Sequence, residues 1–179
     1  MTAPVFVDAN VFLYARDAGE AGKQPRAAAW LEYLWREQLG RTSVQVLSEY
    51  YVNVTRKLAP GLAPDEAWDD VQALLTWRPQ PVDDVLLRRG REVELRYRLS
   101  WWDSLVVGAA QLQGCTVLLT EDLQDGAVFG GVAVRSPFTL AIEEEAAVYT
   151  AAPRAARGHP PRGRPKKEPQ RASQVRRMR

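Results

Sequence analysis

The sequence predicts an α/β fold in which short buried strands alternate with amphipathic helices around a mainly parallel sheet. Three observations predict it. Pro4-Val5-Phe6-Val7-Asp8 and Thr116-Val117-Leu118-Leu119-Thr120 are apolar runs of strand length without alternating polar positions, as expected of strands covered on both faces. The long interval between them carries helical periodicity punctuated by Pro and Gly. A further strand, Gly131 to Arg135, follows the second apolar run, with Gly130-Gly131 as a turn.

The elements follow in order. Gln24 to Gln38 repeats apolar residues at helical spacing, placing Ala27, Trp30, Leu31, Leu34 and Trp35 on one side. Thr42-Ser43 offers a cap for a helix from Val44 to Leu58, stopped by Pro60-Gly61. Pro64 and Asp65 open another, from Glu66 to Trp77, ended by Pro79. Asp83-Asp84 opens a long helix through Leu99, and Asp103 to Gln113 forms one more, closed by Gly114. The six tryptophans are expected to lie mostly in the core, although adjacent Trp101 and Trp102 cannot both face inward.

Charge divides the 179-residue chain in two. Residues 1–150 hold 14 Lys+Arg against 21 Asp+Glu, a net of −7, whereas residues 151–179 hold 10 against 1, a net of +9. Pro153, Pro160, Pro161, Pro165 and Pro169 punctuate the second segment, which has almost no large apolar side chains. We therefore expect a folded domain over 1–150 and a disordered basic tail over 151–179. The single cysteine excludes an internal disulfide, and neither a secretory signal nor a membrane-length apolar run is visible. The expectation is a cytoplasmic, soluble protein.

The residue inventory then eliminates most chemistries. His159, the one histidine, lies in the tail, so Ser-His-Asp and Cys-His catalysis lose their usual base. Cys/His zinc sites are equally unavailable to the domain, and neither G-x-x-x-x-G-K-[ST] nor G-x-G-x-x-G occurs. Cys115, beside a buried strand, reads as a small core residue. Carboxylates remain, and they suit Mg²⁺ or Mn²⁺ and phosphate chemistry.

Four acids stand in unusual surroundings. Asp8 ends an apolar strand, with Asn10 two residues on. Glu49 shares a polar stripe with Gln45, Asn53 and Arg56 on a helix whose other side is apolar. Asp103 opens a helix apolar enough to be buried, and Asp122 follows the second apolar strand. Each has an ordinary explanation when taken alone. Asp103 would serve as a helix-capping acid, Asp122 as a turn residue, and Glu49 as the partner of Arg56 or Asn53. Arg88, Arg89, Arg91, Arg96 and Arg98 read as surface charge rather than a nucleic-acid track, and Glu143-Glu144-Glu145 as a solvated helix face.

Taken together, four segments carry a resemblance: Val7-Asp8-Ala9-Asn10-Val11, Thr42-Ser43-Val44-Gln45-Val46-Leu47-Ser48-Glu49, Trp102-Asp103-Ser104-Leu105-Val106 and Leu119-Thr120-Glu121-Asp122-Leu123. In this order and spacing the chain resembles the PIN-domain family over residues 4 to 140, and within it the VapC-type toxins of bacterial toxin–antitoxin pairs. The resemblance implies a PIN-like three-layer sandwich, a Mg²⁺ site with Mn²⁺ as the alternative ion, and cleavage of RNA. Carried over by position, Asp8 and Asp103 resemble the principal metal ligands, and Glu49 and Asp122 complete the catalytic acids. Asn10 and Thr120 are candidate supporting donors. It further implies a homodimer and a small antitoxin protein as partner. Asp125 lies close enough to Asp122 to compete as the fourth acid, and the basic tail has no counterpart in the family pattern.

Besides a receiver-like phospho-acceptor domain, which the topology allows but for which no convincing lysine partner follows the last strands, two other classes compete on sequence alone. One is a non-catalytic nucleic-acid-binding module using the basic tail, with structural acids. The other is a phosphatase with Asp8 as nucleophile in a D-x-D loop, which Asn10 weakens by replacing the second acid.

Overall fold

The computed structural model describes residues 3–140; the expected boundary at 150, the basic tail and Glu143-Glu144-Glu145 lie outside the described residues. The elements run β1 (Val5–Val7), α1 (Ala9–Arg16), α2 (Gln24–Arg36), β2 (Gly40–Arg41), α3 (Val44–Arg56), α4 (Pro64–Leu75), α5 (Asp84–Tyr97), α6 (Trp101–Leu112), β3 (Val117–Leu119), β4 (Val128–Phe129) and β5 (Val132–Arg135). The sheet has the order β2-β1-β3-β5-β4. β1 runs parallel to β2 and β3, and β3 parallel to β5. Only β4 is antiparallel, joined to β5 through Gly130-Gly131, both at positive φ.

Successive strand residues point to opposite faces. Val5, Phe6 and Val7 are all buried, as are Val117, Leu118 and Leu119, so both faces of the central strands are covered. α1 packs against α2 and α3, and α3 against α4; α5 and α6 form a second packed pair. The expected α/β sandwich with a mainly parallel sheet is therefore the fold, its core running along β1 and β3.

Local chemistry sets the helix starts. Ser43 Oγ accepts from Val46 N at 3.2 Å to open α3, and Asp83 Oδ1 accepts from Leu86 N at 2.9 Å to open α5. α5 ends at Tyr97, two residues short of the expected Leu99, where Arg98 enters the left-handed region (φ 56°). Three elements have no counterpart in the sequence reading: α1, and the two-residue strands β2 and β4.

The tryptophans correct the sequence expectation. Trp30 and Trp77 are buried, but Trp35, Trp68 and Trp102 are each at least 40% exposed, and Trp101 is half-buried. Helix faces here leave large rings resting on neighbours at the surface: Trp35 lies 5.0 Å from the Trp77 ring, and Trp68 meets Tyr51 edge-on at 6.5 Å.

Candidate active site at the carboxyl ends of the strands

The sheet register forces two of the predicted residues together. Val7 pairs with Leu119, so the next residues, Asp8 and Thr120, leave adjacent parallel strands side by side. Asp8 N donates to Leu119 O at 3.1 Å, continuing the ladder by one step. The chain leaves β1 toward β2 and leaves β3 toward β5, in opposite directions across the sheet. That divergence opens a crevice beyond the carboxyl ends of the strands, where ligands bind in such folds.

A compact hydrogen-bonded cluster fills the crevice. Asp8 is 2% exposed and caps α1, its Oδ1 accepting from Ala9 N at 2.8 Å. Its Oδ2 accepts from the Thr120 hydroxyl at 2.8 Å. Asn10 Nδ2 donates to Thr120 Oγ1 at 2.9 Å and to Asp122 Oδ2 at 2.8 Å, with a longer contact of 3.4 Å to Asp8 Oδ2. Asp122 N donates to Thr120 Oγ1 at 3.1 Å. The Asn10 amide therefore bridges the two carboxylates, and the Thr120 hydroxyl links the Asp8 carboxylate to the Asp122 backbone.

Asp125, the competing fourth acid, points elsewhere. It accepts from Ser136 N at 3.0 Å and pairs with Arg135 at 3.2 Å. Asp122 is the acid that joins Asp8.

Asp103 and Glu49 stand on different elements. Asp103 does not open α6; it sits in the first turn behind Ser100. Ser100 Oγ accepts from Asp103 N at 3.1 Å and donates to Asp103 Oδ2 at 2.6 Å, a reciprocal cap. Asp103 is 2% exposed, as its apolar helix suggests. Glu49 Oε1 accepts from Gln45 Nε2 at 3.1 Å, within the expected polar stripe. Glu49 lines a groove of about 640 Å³ together with Trp102 and Leu105, which flank Asp103, so α3 and the start of α6 face one another.

Among the described residues, no three His, Cys, Asp or Glu side chains form a ready-made metal-holding group. The donor set nevertheless fits a hard cation. Mg²⁺ keeps several waters and takes one or two carboxylates plus substrate phosphates. Asp8 and Asp122 meet that need, and Asn10 Oδ1 beside them is a buried acceptor with no hydrogen-bond partner.

Cys115 is buried at the opposite end of β3, and burial pushes its thiol up to about 12, which suits a core residue and not a nucleophile. Three of the four arginines of α5 pair along their own helix, Arg88 with Asp84, Arg89 with Glu92 and Arg91 with Glu94, as expected of surface charge.

Sequence reasoning missed Ser100 and Lys23. The Ser100-Trp101-Trp102-Asp103 spacing is a capping signal that could have placed the helix start. Lys23 Nζ lies 2.7 Å from Glu121 Oε2, inside the turn that carries Thr120 and Asp122, and no local pattern marks that pairing.

Comparison with known proteins agrees with this fold. The PIN domain family model matches residues 5–124. The chain belongs to the PIN domain family. Among solved structures it is similar to a toxin–antitoxin complex from Klebsiella pneumoniae, at 19% identity and a TM-score of 0.54, covering 75% of this chain and 98% of that one. It is also similar to FitAB bound to the IR36 DNA fragment, at 20% identity and 0.59, covering 76% and 97%. FitAcB from Neisseria gonorrhoeae matches at 19% and 0.51, covering 76% and 99%. No curated protein matches the chain by sequence. No described helix is long and apolar enough to cross a membrane.

Proposed function

We propose that this PIN-domain protein is a metal-dependent endoribonuclease, acting in the cytoplasm as the toxin of a toxin–antitoxin pair. The observation that carries the reading is the Asp8–Thr120–Asn10–Asp122 cluster at the crevice between β1 and β3. In this reading Asp8 and Asp103 are the principal ligands of Mg²⁺ or Mn²⁺, Asp122 adds a carboxylate beside Asp8, and Glu49 and Asp122 complete the catalytic acids. When bound, the ion supplies Lewis acidity toward the scissile phosphate.

The chain's own residues do the rest. Two carboxylates about 4 Å apart repel by roughly 4 kcal/mol at an effective dielectric near 20, so clustered acids favour a divalent cation. Thr120 holds Asp8 and Asn10 holds Asp122 against that repulsion, the hydroxyl donating to one carboxylate and the amide to the other. Glu49 or Asp122 orients the attacking water. Attack by water rather than by the ribose 2′-oxygen leaves a 5′-phosphate and a 3′-hydroxyl.

The partner reading draws on the resemblance to structures of toxin–antitoxin complexes. A small antitoxin would cover the acidic crevice, with a basic side chain against the carboxylates. The same resemblance implies that two copies pair as a homodimer.

The test is digestion of total RNA by the full chain with and without Mg²⁺, with the new 5′ ends mapped. Metal-dependent cuts bearing 5′-phosphates, absent in Asp8→Asn, are expected. RNA that is bound but left intact would instead favour a non-catalytic binding module.

A further inference from the structure

We infer that Lys23 is a positioning residue for the acidic site, acting through Glu121 to hold the 120–122 turn so that Asp122 stays on Asn10. The consequence for activity rests on the proposed function; the placement rests on geometry alone.

Four separate segments meet at the Lys23 ammonium. Lys23 lies in the connection just before α2, Tyr14 on α1, Glu121 in the turn after β3, and Phe138 beyond β5. Nζ is 2.7 Å from Glu121 Oε2 and 3.1 Å from the Tyr14 hydroxyl oxygen. It also sits 4.3 Å from the centre of the Tyr14 ring and 5.2 Å from that of Phe138. Aromatic faces attract a cation and deny it other solvated positions.

This is unlike the ion pairs on α5. Arg88 and Asp84 are both at least 80% exposed, a setting in which a pair contributes little. The Lys23 and Glu121 side chains are 32% and 28% exposed, and their residues are separated by 98 positions in the chain. Such a pair fixes tertiary position rather than helix content.

What it fixes is the acidic turn. Thr120, on one side of Glu121, donates to Asp8; Asp122, on the other side, accepts from Asn10. Glu121 ties the same three-residue segment to the α1–α2 side of the molecule. Residues that orient metal-binding groups typically change metal affinity by 10- to 100-fold when removed.

A direct charge role for Lys23, attracting phosphate, makes a different demand. Positioning requires Lys23→Met and Glu121→Gln to act in the same direction, with the double variant no worse than either, because both break one coupling. A direct charge role requires them to act in opposite directions, since one removes a positive and the other a negative charge.

The experiment uses the full chain and two readouts: amide exchange at Asp122 without metal, and Mn²⁺ affinity by calorimetry. Faster exchange at Asp122 and a roughly tenfold or greater loss of Mn²⁺ affinity are expected in both single variants, non-additive in the double and restored in part by Lys23→Arg. Opposite effects of the two variants, or wild-type exchange and affinity in folded Lys23→Met, overturn the inference. If Lys23→Met does not fold, the near-isosteric Glu121→Gln decides by the same readouts. If the wild-type chain binds no Mn²⁺, the proposed function fails and Asp122 exchange alone decides the positioning role.

Discussion

Asn10 offers two amide hydrogens to three oxygens, at 2.8, 2.9 and 3.4 Å, so its geometry favours Asp122 and Thr120 over Asp8. The Thr120 hydroxyl makes up the difference by donating to Asp8. Asp8 has a second, structural duty as the cap of α1, which Asn performs equally well. Asp8→Asn therefore keeps the fold and removes one negative charge. Asp103→Asn likewise keeps an oxygen for the Ser100 hydroxyl. Both variants should melt at or above the wild-type temperature, and RNA cleavage should fall by about a thousandfold or more, a loss of several kcal/mol of charge stabilisation. Folded variants that cleave at the wild-type rate would remove these acids from the site. The pairing of Asp8 with Asp122 was legible because each follows an apolar strand, and adjacent parallel strands deliver their ends to one place. The Lys23–Glu121 contact was not legible, because neither residue shows a periodicity or a neighbour that betrays a partner 98 positions away.

Helix starts matter at the next scale, because three of the site residues sit within one turn of one. The reciprocal Ser100–Asp103 bonds fix the first turn of α6 and one carboxylate oxygen of Asp103 at the same time. Ser100→Ala should cost about 1 kcal/mol of stability as a lost cap, measured by denaturant titration. It should also weaken Mn²⁺ binding, while Ala substitution at the cap Ser43, which serves α3, should cost similar stability with a smaller effect on Mn²⁺. Close packing sets a second constraint. A Cβ built on Gly40 in β2 would lie 2.4 Å from the buried Trp77 ring, which has no flexible end to move aside. Gly40→Ala should therefore destabilise the fold by about 1–3 kcal/mol through overpacking, read from the urea midpoint. A wild-type midpoint would mean that Trp77 can shift. The long helices were legible from apolar periodicity and breakers, since Pro60-Gly61 and Pro79 mark real ends. α1 was hidden because its eight residues are too few for helical periodicity to stand out after the strand that ends at Asp8. β2 and β4 have two residues each, too few for any alternation to register, and exist through pairing with β1 and β5.

Across the whole molecule the charge is split, with −7 over residues 1–150 and +9 over residues 151–179. An acidic domain repels RNA at long range, so the proposed cleavage of RNA gains from a separate source of positive charge. The arginines of α5 are a poor source, because Arg88, Arg89 and Arg91 are paired with acids of their own helix. The ten basic residues after Thr150 are the better one, and we assign them the role of an electrostatic tether for RNA. If several of them contact phosphates, binding releases counterions, and log affinity falls with log salt by about 0.7 per contact on single strands. A chain ending at Thr150 should then bind RNA more weakly and with a shallower salt slope, while turnover at saturating RNA stays nearly unchanged. The measurement is RNA affinity across a salt series for the full and shortened chains. A tail engaged only with the domain's own acids predicts instead that removing it leaves the slope unchanged. Identical slopes would therefore exclude the tether, and loss of folding on shortening would show that the folded unit extends beyond Thr150.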